Sequence, residues 1–214
     1  MRILVTGFDP FGGEAINPSW EAVRRLPKQI AGAEISAVQL PTSCERSLEV
    51  VERSIAEVAP RVVLSVGQAG GRRGITVERV GINVDDYRIP DNDGVQPVDQ
   101  PVVSGGPDAY FSNLPIKAMV EAVRGAGLEA SVSNSAGTFV CNHVLYGVRH
   151  LGATRHPGLK SGFVHVPFLP EQVKGRDGLP SMTLEDDVRA LAAAIQAIVD
   201  YPEKDIRRAG GSIC

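Results

Sequence analysis

In the stretch SAGTFVCNHVLYG, residues 135–147, a cysteine stands at position 141 and a histidine two residues later. Val140, Val144, Val148 and Leu151 recur at helical spacing, so a helix is expected to begin around Phe139 to Cys141, directly after an Ala-Gly turn. A thiol at a helix start feels the positive end of the dipole, which can bring its pKa from ~8.5 into the range ~3.5 to 7.5 and supply a thiolate nucleophile. Cysteine is equally a small apolar residue that cores bury. The spacing leaves both readings open.

A cysteine nucleophile needs a base. His143 points roughly 200° away from Cys141 on the same helix, since only positions three or four apart are neighbours, and is expected to be structural. His150 and His156 lie on or beyond the far end of that helix. His165 ends the run GFVHV, where it can either face the rim of a sheet or merely cap a strand. Cys44 is a rival thiol in the first turn of another helix. Cys214 is the last residue and is expected to be exposed.

The elements that must position these residues alternate between β-branched runs and helical periodicities, the pattern of a three-layer α/β/α sandwich around a mostly parallel twisted sheet. Strands are expected at 2–7, 33–40, 61–67, 129–135 and 162–166. Asn17 with Pro18 starts one helix. Thr42 with Glu45 reads as a capping box before Leu48, Val51, Ile55 and Val58. Further helices run from Leu114 to Val123 and from about Leu184 to Val199. Residues 81–113, rich in Gly, Pro and Asp, form too long a loop to be idle and are expected to be a projecting arm or hairpin. Ligands bind beyond the C-terminal ends of parallel strands. There the chain carries FDPFGG, QAGGRRG, AGTFVC and PFLPEQ, which would gather glycines, phenylalanines, Cys141 and His165 at one rim.

Familiar ligand motifs fail. GFDPFGG lacks the Lys and Ser/Thr of a phosphate loop, GQAGG is not a dinucleotide fingerprint, DNDG (91–94) places its glycine too early for a calcium loop, and no Cys/His spacing fits zinc. The 214 residues read as a single domain, 1–214. With 43% hydrophobic residues, 22% charged residues and a net charge of −3, the chain has material for a large core and no basic stripe, which excludes nucleic acid and anionic membrane as main partners. MRILVTGF is too short for a signal peptide, and no run reaches the ~18 apolar residues of a membrane helix, so a cytoplasmic protein is expected. The three cysteines, an odd and sparse set, are expected to be free thiols.

The segments TGFDPFGGEAINPSWEAV, VGQAGGRRGITVERVGINVDDYRIPDNDG, GTFVCNHVLYG and GFVHVPFLPEQ resemble the pyroglutamyl peptidase I family of cysteine exopeptidases, from residue 4 to about 200. The resemblance implies an α/β/α sandwich, a homotetramer, no cofactor and no metal, and removal of N-terminal pyroglutamate from peptides. Carried over by position, it implies Cys141 as nucleophile, His165 as base and Glu78 as third member. It further implies a pyroglutamate pocket lined by Phe8, Phe11, Thr42, Ile89, Phe139 and Val140, with Arg88 at the oxyanion and Gln68 close by. The chain departs from the family's pattern at Gly81, usually Ala, at Tyr87, usually small, and at Cys44, commonly apolar. A non-catalytic binder on this fold, or a hydrolase for another small lactam or nucleoside-like ligand, are the alternatives.

Overall fold

The apolar runs become one seven-stranded sheet in the computed structural model, which describes residues 1–211. Its strands are β1 (Arg2–Phe8), β2 (Gln29–Ile30), β3 (Ala33–Leu40), β4 (Val62–Gln68), β5 (Ile75–Glu78), β8 (Ala130–Ser133) and β9 (Lys160–Val166), in the spatial order β2-β3-β1-β4-β9-β5-β8. β6 (Val80–Ile82) and β7 (Ala109–Phe111) pair as a separate two-stranded sheet. Strands β3, β1, β4 and β9 are mutually parallel, as are β5 and β8, but β5 meets β9 antiparallel with Thr76 opposite His165. The run at 129–135 is therefore a strand whose C-terminal end does not lie on the rim formed by β1, β4 and β9, contrary to the expectation from a uniformly parallel sheet. Residues 134–139 bring the chain back to that rim.

Because side chains alternate across a strand, each face has its own core. Ile3, Val5, Leu64, Val66, Val164 and Val166 pack beneath α1 (Pro18–Val23), α3 (Ile116–Gly125) and α5 (Leu184–Asp200). Leu4, Val63 and Phe163 pack beneath α2 (Cys44–Val58) and α4 (Val140–Thr154), which completes the three layers. Asn17 caps α1 as expected, its side chain accepting from Ser19 N. The cap of α2 is Ser43, which accepts from Arg46 N, and not Thr42. The Thr42 hydroxyl donates to the Asp9 carbonyl instead and ties the end of β3 to the loop after β1.

Residues 81–113 form a hairpin, with β6 and β7 at its base and a bridge between Asp85 and Gln100 further out. Its tip does not project freely but lies down on the molecule. Asp91 accepts from Cys44 N at 2.9 Å, Arg46 holds Asp93 through two hydrogen bonds, and Asn92 reaches Asp9 and Pro10. The base of the arm is fixed to α4 by Asn142, which exchanges hydrogen bonds with Ile82 and donates to the Val84 carbonyl.

One buried carboxylate works against this fold. Asp187, in the first turns of α5, is fully buried, and among the described residues neither of its oxygens has a hydrogen-bond partner. Burial, with Asp186 nearby, raises its pKa from 3.8 to about 8. The folded pKa lies above the unfolded one, so the group costs nothing below pH 3.8, and the cost grows as pH rises towards 8. It reaches on the order of a few kcal/mol. Asp187→Asn is expected to raise the melting temperature by several degrees at pH 8 and by less at pH 5. A gain that does not depend on pH would show that Asp187 is not protonated in the folded protein.

Candidate active site

His165 is the penultimate residue of β9. Its imidazole faces the α2/α4 side together with Phe163, ring centroids 4.8 Å apart. Gly67 of β4 is its register partner. A Cβ added at Gly67 would meet Cys141 Sγ and Phe163 Cζ, both at 2.8 Å. The missing side chain is thus what lets the thiol settle on the sheet surface over Gly67, whose strand runs one spacing of ~4.8 Å from the strand of His165. Gly67→Ala is expected to lower kcat about tenfold to a hundredfold, because a misplacement near 1 Å is enough to spoil attack geometry. Circular dichroism should show the fold retained. Unchanged turnover would mean that Sγ need not sit where it does.

Cys141 is the second residue of α4, and the helix begins as the sequence suggests, at Val140 with Phe139 as N-cap and no capping side chain. The groups around the thiol work against the low pKa that a helix start can give. Although the residue is partly exposed, burial pushes the thiol up to about 12, the Glu78 charge adds to the rise, and Arg72 opposes it. Burial against the sheet and the Glu78 carboxylate are the two causes of the rise.

Glu78, the last residue of β5, is fully buried, and its Oε1 lies 2.8 Å from His165 Nδ1. Thr76 stands opposite His165 across the antiparallel pair, so Glu78 is its diagonal neighbour on the same face. Burial opposes ionisation of Glu78, yet the bond to His165, with Ser133 and Arg72, holds the carboxyl below the usual range. Burial likewise lowers the His165 pKa, against the pull of Glu78. A neutral thiol beside a neutral imidazole, with an ionised carboxylate behind it, is the resting arrangement these shifts favour.

Arg72 was not anticipated from sequence. Its Nη1 donates to the same Glu78 Oε1 at 2.6 Å. The only trace in sequence is the pair of arginines in QAGGRRG, next to a rim strand. Gly67 and Phe163 were likewise missed as parts of the site.

The expected pocket residues divide. Phe11 and Phe139 meet with ring centroids 5.9 Å apart, and Ile89 lies across from Gly12, so the loop after β1, the arm and the start of α4 converge. Val140 is buried behind them. Phe8 is buried as well and packs 6.2 Å from Phe163, which makes it a wall beneath the site. Thr42 is occupied with Asp9, and Gln68 Oε1 accepts from Gln172 Nε2. Arg88 is exposed on the arm, and among the described residues no hydrogen bond or ion pair involves its guanidinium. Tyr87 is buried 4.6 Å from the Phe139 ring and fills the space behind it. At Gly81 a Cβ would come within 2.9 Å of Leu145 Cγ and Tyr146 N, so the glycine lets the arm lie closer to α4 than alanine would allow.

The rival groups go elsewhere. His143 is buried and pairs through Nδ1 with Asp85 at 2.7 Å. Cys44 is buried, and burial together with the nearby Asp91 raises its thiol to about 12. Cys214 lies outside the described residues. Among them, no group of three or more His, Cys, Asp or Glu could hold a metal ion. The surface clefts between α3, β8 and residues 208–211, between residues 55–61 and 155–159, and along residues 39–53 do not include Cys141 or His165.

The sequence profile of the family described as pyroglutamyl peptidase matches residues 1–201. Pyrrolidone-carboxylate peptidase of Levilactobacillus brevis is 59% identical over 199 residues, covering 93% of this chain and 98% of that protein. The Streptococcus suis enzyme of the same name is 56% identical and covers 99% of both. Among solved structures, pyroglutamyl peptidase I from Bacillus amyloliquefaciens superposes with a TM-score of 0.92 at 45% identity, covering 96% of this chain and 99% of that one. Pyrrolidone carboxyl peptidase from Thermococcus litoralis superposes at 0.93 with 37% identity, covering 97% and 99%.

Proposed function

Since this chain belongs to the pyroglutamyl peptidase family, cysteine peptidases that remove N-terminal pyroglutamate from peptides, we propose that Cys141 is its nucleophile, His165 its general base and Glu78 the group that orients the base. The observation that carries this reading is one sheet face bearing the Glu78–His165 pair and, over Gly67, the thiol of Cys141.

Glu78 accepts the Nδ1 proton of His165, which leaves Nε2 free to accept another. Sγ attacks the pyroglutamyl carbonyl carbon as Nε2 takes the thiol proton, so no standing thiolate is required. The oxyanion is met by backbone N–H groups in the uncapped first turn of α4, which have no partner inside the helix, with Arg88 able to reach in from the arm. The imidazolium then protonates the leaving amine as the C–N bond breaks, and a thioester remains. Water, deprotonated by His165, hydrolyses the thioester to pyroglutamate and free thiol. Because burial lowers the His165 pKa below its usual 6.5, the base is ready at neutral pH and activity falls on the acid side of that value.

A pyroglutamyl ring is a neutral lactam without a free amine, and walls of Phe11, Phe139 and Ile89 suit it better than an acidic anchor. The tip of the arm is pinned beside Asp9 and Pro10, in the loop that carries Phe11. The test is hydrolysis of a fluorogenic pyroglutamyl amide compared with the prolyl and glutamyl amides, with and without a thiol alkylator. Preference for another lactam would move the substrate, and binding without turnover would leave a binder. The reading extends to a cytoplasmic homotetramer that needs no cofactor. Two large apolar side chains on the arm, Phe111 and Val98, are 66% and 62% exposed and give a second copy something to cover, which light scattering can check. Among the described residues no helix is long and apolar enough to cross a membrane.

A further inference from the structure

We propose that Arg72 is a positioning residue of this reaction, which shares the Glu78 oxygen that holds His165 and ties together the strand ends that deliver the catalytic groups. The inference rests on the triad reading above. Glu78 Oε1 takes both Arg72 Nη1 at 2.6 Å and His165 Nδ1 at 2.8 Å, while Oε2 is buried without a partner. The two donors thus divide one oxygen of the carboxylate. Arg72 also spans the neighbouring backbone. Nη1 reaches Thr76 Oγ1 on β5 at 2.8 Å and Ser133 Oγ on β8 at 3.3 Å, and Nη2 donates to the Ser135 carbonyl at 2.9 Å. Ser135 begins the passage to Phe139 and Cys141. One guanidinium thus fixes the strand that carries Glu78 and the segment that leads to the nucleophile, using the fork geometry that a lysine does not have.

The electrostatic consequence follows from the shared oxygen. A buried carboxylate paired with imidazole alone favours the imidazolium, which cannot act as a base. A cation on the same oxygen offsets that pull and keeps the carboxylate ionised without protonating the imidazole. The charged and titratable groups facing His165 are Glu78 on β5, Cys141 on α4 and Arg72 from the loop after β4. Arg72 acts on all three in the same sense, lowering the pKa of Glu78, Cys141 and His165.

Two variants separate the roles. Arg72→Met removes charge and fork together. It is expected to raise the His165 pKa, read by NMR titration of the histidine ring protons, by about one unit, and to move the acid limb of kcat/KM upward by the same amount with a clear fall in kcat. Arg72→Lys keeps the charge and loses the fork, so its kcat should fall while the His165 titration stays near the parent value. The His165 signal is assigned with His165→Gln, whose activity tests the triad reading separately. An active His165→Gln enzyme would sink that reading. A His165 pKa unmoved in Arg72→Met would overturn the electrostatic role of Arg72, and a fully active Arg72→Lys would overturn the role of its fork. Should Arg72→Met fail to fold, the same titration on Arg72→Gln decides the first point.

Discussion

Cys141→Ser is expected to lower turnover of a pyroglutamyl amide by on the order of 10⁴ or more, with the fold intact. The site explains why so small a change should cost so much. Burial and Glu78 push the thiol up to about 12, against the opposing pull of Arg72. Attack therefore depends on the intrinsic nucleophilicity of sulfur as its proton passes to His165, and a hydroxyl in the same place is both a weaker acid and a weaker nucleophile. Alkylation gives the same answer without mutation. Cys44 and Cys141 have thiols raised to similar values, so their pKa does not distinguish them. Access and the neighbouring base do, since Cys44 is buried beside Asp91 whereas Cys141 is partly exposed beside His165. Mass mapping after limited iodoacetamide treatment should show that loss of activity follows modification of Cys141. If activity instead falls in step with Cys44, the nucleophile has been misassigned.

What the sequence made legible was local. The start of α4 follows from the spacing of Val140, Val144, Val148 and Leu151, β1, β4 and β9 follow from apolar runs buried on both faces, and β3 follows from the alternation of buried and exposed residues. β5 escaped because ITVE is four residues long and sits between a Gly-rich loop and the arm, too short to display a period. With β5 unseen, its antiparallel meeting with β9 was also unseen, and with it the diagonal that sets Glu78 against His165. Glu78 came from family resemblance alone. Thr42 and Ser43 are both competent caps, and sequence could not show that Asp9 would engage Thr42 and leave Ser43 to close the helix. The surroundings of the Cys141 thiol were hidden for a similar reason. A helix dipole is visible in a local pattern, whereas the Phe163 ring and the Glu78 charge that oppose it arrive from strands distant in the chain.

Glu78→Gln is the sharpest test of that least legible residue. The substitution keeps size and removes charge, and turnover is expected to fall by on the order of 10² to 10⁴ with KM little changed, since Glu78 lies behind His165 and does not line the pocket. A glutamine can face His165 Nδ1 with either its carbonyl or its amide group, so the tautomer that leaves Nε2 free is no longer enforced. The pH signature can be signed as well. Glu78 raises the pKa of His165 and of Cys141, so without its charge both fall, and the acid limb should move to lower pH even as kcat drops. That direction is opposite to the one expected for Arg72→Met, although the two residues form one ion pair at 2.6 Å. General loosening of the site would shift both profiles the same way or neither. If Glu78 served only as a partner for Arg72, the Gln variant would lose some stability, keep turnover within a few-fold of the parent and leave the acid limb in place, and the mechanism would reduce to a Cys141–His165 dyad.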